Sequence, residues 1–136
     1  MAFNKKFLIF LFFCLLILIN FLFLKSGQNE NKRDKLRISD LNSIKFFLEL
    51  YYIDHGFYPS ESGNSREGTG IWKQLNSPLA PKYIGWVPGD PLAHKGFTYT
   101  YTTPDPNKSD KKGKSWQLKA RLETGDKNYI LTSSNK

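Results

Sequence analysis

The chain has 136 residues and a formal net charge of +8, and 40% of its residues are hydrophobic. About 110 residues remain once an apolar N-terminal segment is set aside, which is enough for one small domain. The single cysteine, Cys14, excludes an intramolecular disulfide bond and is expected to be a small lipid-facing or packing residue. No nucleophile motif, glycine-rich phosphate loop or metal-ligand spacing occurs. The sequence therefore predicts a protein that is not an enzyme and has no small-molecule substrate.

Residues 7–24 form an apolar segment without charge, which is called the anchor segment below. As a helix it would be about 27 Å long, close to the thickness of the hydrocarbon core of a bilayer. We therefore expect a single-pass protein of the cell membrane, with residues 1–6 in the cytoplasm and the rest of the chain outside it. A cleaved signal peptide is the alternative, but its apolar region is usually shorter.

Residues 25–31 are predicted to be a polar hinge, either as a short break or as a weakened stretch of continuous helix. From there, residues 32–136 are predicted to form the extracytoplasmic domain. Apolar side chains recur at three- and four-residue steps, which predicts a long spine helix that packs on a sheet. These packing residues are Ile38, Leu41, Ile44, Leu48 and Tyr51. Gly56 is expected to end the helix and Pro59 to prevent its resumption.

The second half of the domain predicts strands. Residues 71–79 read as a short helix or turn with Trp72, Leu75 and Leu79 facing inward. Polar and apolar residues alternate over 97–102 and 116–122, and a shorter apolar run covers 128–132. Residues 124–127 predict a tight turn between the last two. The expected fold class is α+β: an N-terminal transmembrane helix leads into a spine helix packed on a three- to four-stranded antiparallel sheet.

Five short motifs stand in order behind the apolar segment. The first is Arg37-Ile38-Ser39-Asp40-Leu41, and the second contains Tyr51, Tyr52, Asp54, Gly56, Tyr58 and Pro59. The others contain Tyr83, Ile84, Pro88, Asp90 and Pro91; Phe97, Tyr99 and Tyr101; and Trp116, Leu118, Ala120, Leu122, Glu123, Tyr129 and Leu131. In order and spacing these residues resemble type IV pilin-like proteins, and especially the major pseudopilins of type II secretion systems.

The resemblance implies a pilin-like fold and a membrane-anchored structural subunit of a type II secretion or type IV pilus-like system. Its partners would be the membrane, other pilin-like subunits and secretion-apparatus proteins. Such pseudopilins commonly hold calcium in a loop near their last strands, where Asp105, Asp110 and Asp126 lie here. Lysines crowd the same loops and oppose a divalent cation, so we expect no cofactor. These lysines are Lys108, Lys111, Lys112 and Lys127.

The N-terminus departs from the pattern of the family. Lys6 stands where the family has the glycine of its processing site, and Leu11 stands where it has a glutamate. These two differences favour a second hypothesis: a stand-alone, membrane-anchored extracytoplasmic module that binds a polymer, DNA or a protein partner.

Two further groups of residues are candidate binding sites. Asp54-His55 and Asp90 with His94 could bind a metal ion if their loops converged, although structural roles are expected. A basic cluster could bind DNA, with Tyr99 and Tyr101 as stacking platforms, although a solvated surface is expected. The cluster comprises Lys108, Lys111, Lys112, Lys114, Lys119 and Arg121.

Overall fold

The computed structural model describes residues 5–59, 70–103 and 112–133. The helices are α1 (Lys5–His55) and α2 (Gly70–Leu79), with a 3-10 helix at Ala93–Lys95. The strands are β1 (Tyr58–Pro59), β2 (Thr100–Thr102), β3 (Lys112–Gly113), β4 (Gln117–Arg121) and β5 (Asn128–Thr132). The fold is α+β: a long helix that is apolar in its N-terminal part, followed by a small antiparallel sheet of three strands.

Helix α1 has 51 residues and is about 75 Å long. The polar residues 25–31 lie within it, so of the two forms expected for the hinge the structure has the continuous helix. The side chains described in the anchor segment are all exposed. The helix is long and apolar enough to span a membrane.

The C-terminal end of α1 agrees with the end predicted from Gly56. That residue has φ +76°, and its N–H donates to the Tyr52 carbonyl oxygen at 2.7 Å. Glycine adopts this left-handed conformation without steric cost, which makes it a common residue after the last helical turn. The chain then turns back at once, so that Pro59 lies in β1.

The main sheet has the order β2–β4–β5, and both pairings are antiparallel. Strand β5 has the predicted bounds, and β4 lies within the predicted 116–122. Strand β2 is shorter than the predicted 97–102. Phe97, which lies before it, packs between the guanidinium groups of Arg37 and Arg121, 4.8 and 5.5 Å from its ring centroid. A separate two-stranded pair, β1–β3, was not predicted.

The core lies between α1, α2 and the sheet. The prediction that Trp72 faces inward is wrong: its side chain is 52% exposed. Ile71 takes the inward position instead, because the buried face of α2 recurs at four-residue steps. The buried hydrophobic residues are Leu41, Ile44, Leu48, Tyr58, Ile71, Leu75, Leu79, Val87, Tyr99, Tyr101, Trp116, Leu118 and Ala120.

Candidate functional site

The spine face of α1 includes charged residues as well as the predicted apolar ones. Of the predicted packing residues, three are buried and two, Ile38 and Tyr51, are half-buried. The buried three are Leu41, Ile44 and Leu48. Counted back from Leu41 in steps of four and three, the same face reaches Arg37 and Asp34, and both are buried. The heptad spacing was therefore the signal that could have located them.

Arg37 is fully buried, and three carboxylates surround its guanidinium. Its Nε and Nη2 donate to the two oxygens of Asp90 at 2.7 and 3.0 Å. Its Nη1 donates to Asp34 Oδ1 at 2.7 Å and to Glu123 Oε1 at 2.6 Å. Arg33 also donates to Glu123, from Nε at 2.7 Å. These five residues, Arg33, Asp34, Arg37, Asp90 and Glu123, are called the ionic cluster below.

Asp34 also holds the turn between β4 and β5. Its Oδ1 accepts the Glu123 N–H at 2.9 Å, and its Oδ2 accepts the Thr124 N–H at 2.9 Å and the Thr124 hydroxyl at 2.6 Å. Burial opposes the ionisation of Asp34, but these hydrogen bonds and the one from Arg37 lower its pKa to about 2. The pKa of Glu123 is also lowered, mainly by its hydrogen bond from Arg33. Both carboxylates are therefore charged at neutral pH.

The ionic cluster joins three separate parts of the chain: the spine helix, the turn at Asp90 and the turn after β4. Each carboxylate accepts a hydrogen bond from a guanidinium, so none of the three is free to act as a general base. The contacts of the ionic cluster fix the domain to α1, so the role of the cluster is structural. The sequence alone did not predict that these residues meet, because their hydrogen bonds join positions 53 and 86 residues apart.

Tyrosines hold the second motif, which covers the end of the spine helix and the turn after it. Tyr52 stacks on Tyr58 with ring centroids 4.6 Å apart. The Tyr58 hydroxyl donates to Glu49 at 2.9 Å, and burial together with this carboxylate raises the pKa of Tyr58 to about 12. The Tyr101 hydroxyl donates to the Pro59 carbonyl oxygen at 2.6 Å. Of the remaining motif residues, Asp90 belongs to the ionic cluster and Pro91 is half-buried beside it in sequence.

The two acid–histidine pairs considered as a metal site lie in different places. Asp54 accepts hydrogen bonds from Lys82 Nζ and the Tyr83 hydroxyl, each at 2.7 Å. Asp90 instead contacts Arg37, which is 17 residues before Asp54 on the same helix and so about 25 Å away along its axis. Within residues 5–59, 70–103 and 112–133, no three or more His, Cys, Asp or Glu side chains form a group that could hold a metal ion.

Of the basic cluster, the structure describes the side chains of three residues, which lie on or just before β4. Lys114 is exposed and Lys119 half-buried, and Arg121 donates to Asp126 at 2.8 Å. Lys108, Lys111, Asp105 and Asp110 lie outside the described residues, and of Lys112 only the backbone, in β3, is described. The idea that Tyr99 and Tyr101 stack on bases is wrong, because each is only 1% exposed. Thr100, between them, is half-buried, and Thr102, after them, is exposed.

Comparison of the chain with protein-family models, with curated proteins and with solved structures gives no match. Inferences about function therefore rest on the residues and their geometry.

Proposed function

We propose that the chain is a pilin-like, single-pass membrane protein that serves as a structural subunit of a type II secretion or type IV pilus-like system. In this proposal residues 1–6 lie in the cytoplasm, the anchor segment spans the membrane and the domain stands outside it. The protein acts through packing against other subunits and has no catalytic role. The observation that carries the proposal is α1: a single helix whose first part is exposed and apolar and whose second part is buried under a sheet.

The exposed anchor segment requires a non-aqueous environment. Its uncharged side chains would cost free energy in water, whereas lipid or the apolar helix of a neighbouring subunit would cover them. A helix satisfies its backbone hydrogen bonds internally, which is the condition for entering lipid. The same segment can therefore serve first as an anchor and then as a contact between subunits.

The ionic cluster also supports the proposal. Arg37, Asp90 and Glu123 come from three of the five motifs that carry the resemblance to pseudopilins, and they meet around one guanidinium. Three of the motifs that carry the resemblance therefore supply residues to one tertiary contact. The cluster fixes the sheet to the spine helix. A structural subunit that transmits force along its helix needs such an attachment between sheet and helix.

The second candidate is a stand-alone binding module with the same fold. The specific observation in its favour is that Lys6 and Leu11 replace the glycine and the glutamate of the family pattern. A subunit without this glutamate lacks a polar partner for the N-terminus of its neighbour. The two candidates share the anchor and differ in whether the anchor segment contacts other subunits.

Photocrosslinking in the native host separates these candidates. Benzoylphenylalanine is placed at Leu16, which is exposed in the anchor segment, and in a control at Lys73, which is exposed on α2. The structural-subunit proposal predicts that the Leu16→benzoylphenylalanine protein forms covalent adducts with a second copy or with another pilin-like protein. Recovery of the monomer alone, with lipid as the only adduct at this position, would reject subunit packing and support the stand-alone module. The Lys73 control reports contacts made by the domain itself.

A further inference from the structure

The outer edge of β5 is an open strand edge. The Leu122 N–H donates to the Lys127 carbonyl oxygen and the Ser133 N–H to the Trp116 carbonyl oxygen, so odd-numbered residues of this segment direct their backbone toward β4. In an antiparallel ladder the intervening residues direct their N–H and C=O groups the other way. These are Asn128, Ile130 and Thr132. No strand among the described residues pairs with this edge.

Nothing in β5 blocks this edge against pairing. Natural edge strands are usually protected by proline, by an inward-pointing charge, by a bulge or by an exposed lysine within the strand. The five residues of β5 contain none of these, and its register with β4 is continuous from Arg121–Asn128 to Gln117–Thr132. Ile130 at its centre is 48% exposed. A strand added here could form hydrogen bonds with the outward N–H and C=O groups of β5 and pack against the Ile130 side chain.

The two faces of the sheet indicate which side chains such a strand would carry. On the outer face, Lys119 lies directly opposite Ile130 and Arg121 directly opposite Asn128. A strand added beside β5 would lie two strand spacings, about 10 Å, from β4, a distance that lysine and glutamate side chains bridge together. On the inner face, Tyr129 and Leu131 are half-buried against the core. Charge and burial thus favour acidic residues outward and apolar residues inward.

We propose that the outer edge of β5 binds an extended, acidic polypeptide segment of a partner protein, which adds a fourth strand to the sheet. Backbone hydrogen bonds to Asn128, Ile130 and Thr132 supply the affinity, and Lys119 selects an acidic side chain. Arg121, which is paired with Asp126, adds to the positive charge of this face. The inference does not rest on the proposed membrane role, because the edge belongs to the domain alone.

The test uses the full chain in detergent micelles and three blocked, fluorescently labelled peptides. One alternates glutamate and valine over eight residues, the second replaces each glutamate by lysine, and the third is the chain's own segment 127–133. We expect the glutamate peptide to bind at least about ten-fold more tightly than the lysine peptide by fluorescence anisotropy. Amide hydrogen exchange at Asn128, Ile130 and Thr132 should be fast in the free protein and should slow when this peptide is bound.

A matched pair of variants tests the backbone contact. Ile130→Pro removes an outward N–H that the ladder does not use, whereas Ile130→Val keeps it. The proline variant should lose binding by about ten-fold or more while the valine variant keeps it, with the thermal midpoint of each reporting the fold. Should the proline variant unfold, a glutamate peptide N-methylated along one edge replaces it and should fail to bind the unaltered protein.

Three results would overturn the proposal. The first is equal binding of the glutamate and lysine peptides, and the second is binding that neither Ile130→Pro nor N-methylation weakens. The third is slow exchange of the three outward amides before any peptide is added, which would show that the chain already covers this edge. Tightest binding by the chain's own segment would identify a second copy as the occupant, in place of an acidic partner.

Discussion

Arg37 lies on the spine face between Asp34 and the apolar residues Leu41 and Ile44. Burying a guanidinium and three carboxylates costs several kcal/mol per ion, and only good hydrogen-bond geometry repays this cost. Here the guanidinium makes four hydrogen bonds between 2.6 and 3.0 Å and lies over the Phe97 ring. The cluster therefore specifies how the domain sits on α1, and removing one partner would leave buried charges unpaired.

We predict that Arg37→Met destabilises the domain by about 3–5 kcal/mol, because Asp34, Asp90 and Glu123 lose their shared cation. The measurement is denaturant unfolding of the full chain in detergent, followed by near-ultraviolet circular dichroism. Arg121→Met is the matched control, since its ion pair with Asp126 is exposed and should contribute no more than about 1 kcal/mol. Similar small losses in both variants would contradict the role assigned to the ionic cluster.

The acid sensitivity of the domain should depend on Asp34. Its pKa is about 2 in the folded chain, against an ordinary value of about 4. The stability that it contributes is thus fully present above about pH 4 and is lost as the pH falls toward 2. Compared with the unaltered chain, Asp34→Asn should have a lower thermal midpoint at pH 7 and a flatter dependence between pH 5 and 2. Parallel curves for the two proteins would count against this assignment.

Asp40 should have the opposite effect on the pH dependence of stability. Burial raises its pKa, although the Tyr99 hydroxyl, which donates to it at 2.8 Å, works against this, and the charge of Asp90 adds to the increase. A carboxyl group whose pKa is raised on folding stabilises the fold at pH values below its ordinary pKa. This contribution is lost as the pH rises through the pKa in the folded protein. Asp40→Asn retains an acceptor for Tyr99 and should raise the thermal midpoint at pH 7. It should give no advantage at pH 3, and a lower midpoint at pH 7 would refute the prediction.

At the scale of elements, the end of α1 depends on one backbone conformation. Gly56 is at φ +76°, and a Cβ there would meet no atom within 4 Å, so that any cost of a side chain is conformational. Gly56→Ala should therefore destabilise the domain by about 1 kcal/mol. Gly85→Ala serves as control, because a Cβ there also meets open space and no left-handed φ is involved. Thermal unfolding of both variants makes the comparison, and equal midpoints would show that the helix end tolerates alanine.

The sequence predicted those elements whose side chains repeat with a clear period. The alternation in β4, the short apolar run in β5 and the three- and four-residue steps of α1 reflect local packing, which a pattern of apolar residues records. Strands β1 and β3 have two residues each, too few for any period, and their paired residues are 53 and 55 positions apart. The burial of Arg37 was not predicted, although the heptad spacing places it on the spine face, because a charged residue on a helix is usually solvated.

At the scale of the whole molecule, α1 both forms the anchor segment and carries the domain. The anchor segment ends at residue 24 and the first buried residue of the spine is Asp34, so about 15 Å of helix lies between them. Because residues 25–31 are helical, the domain is joined to the anchor segment by continuous helix. A pilin-like subunit needs this connection, since motion of the helix then carries the domain with it.

The central claim is that the anchor segment spans the membrane and places the domain outside the cytoplasm. Its most direct test is cysteine labelling with a membrane-impermeant maleimide in cells whose inner membrane is intact. In a Cys14→Ser background, Ser77→Cys reports the domain and Lys5→Cys the cytoplasmic side, both positions being exposed. The account predicts that Ser77→Cys is labelled at once and Lys5→Cys only after the membrane is permeabilised. The reverse pattern, or labelling of both positions in intact cells, would contradict it.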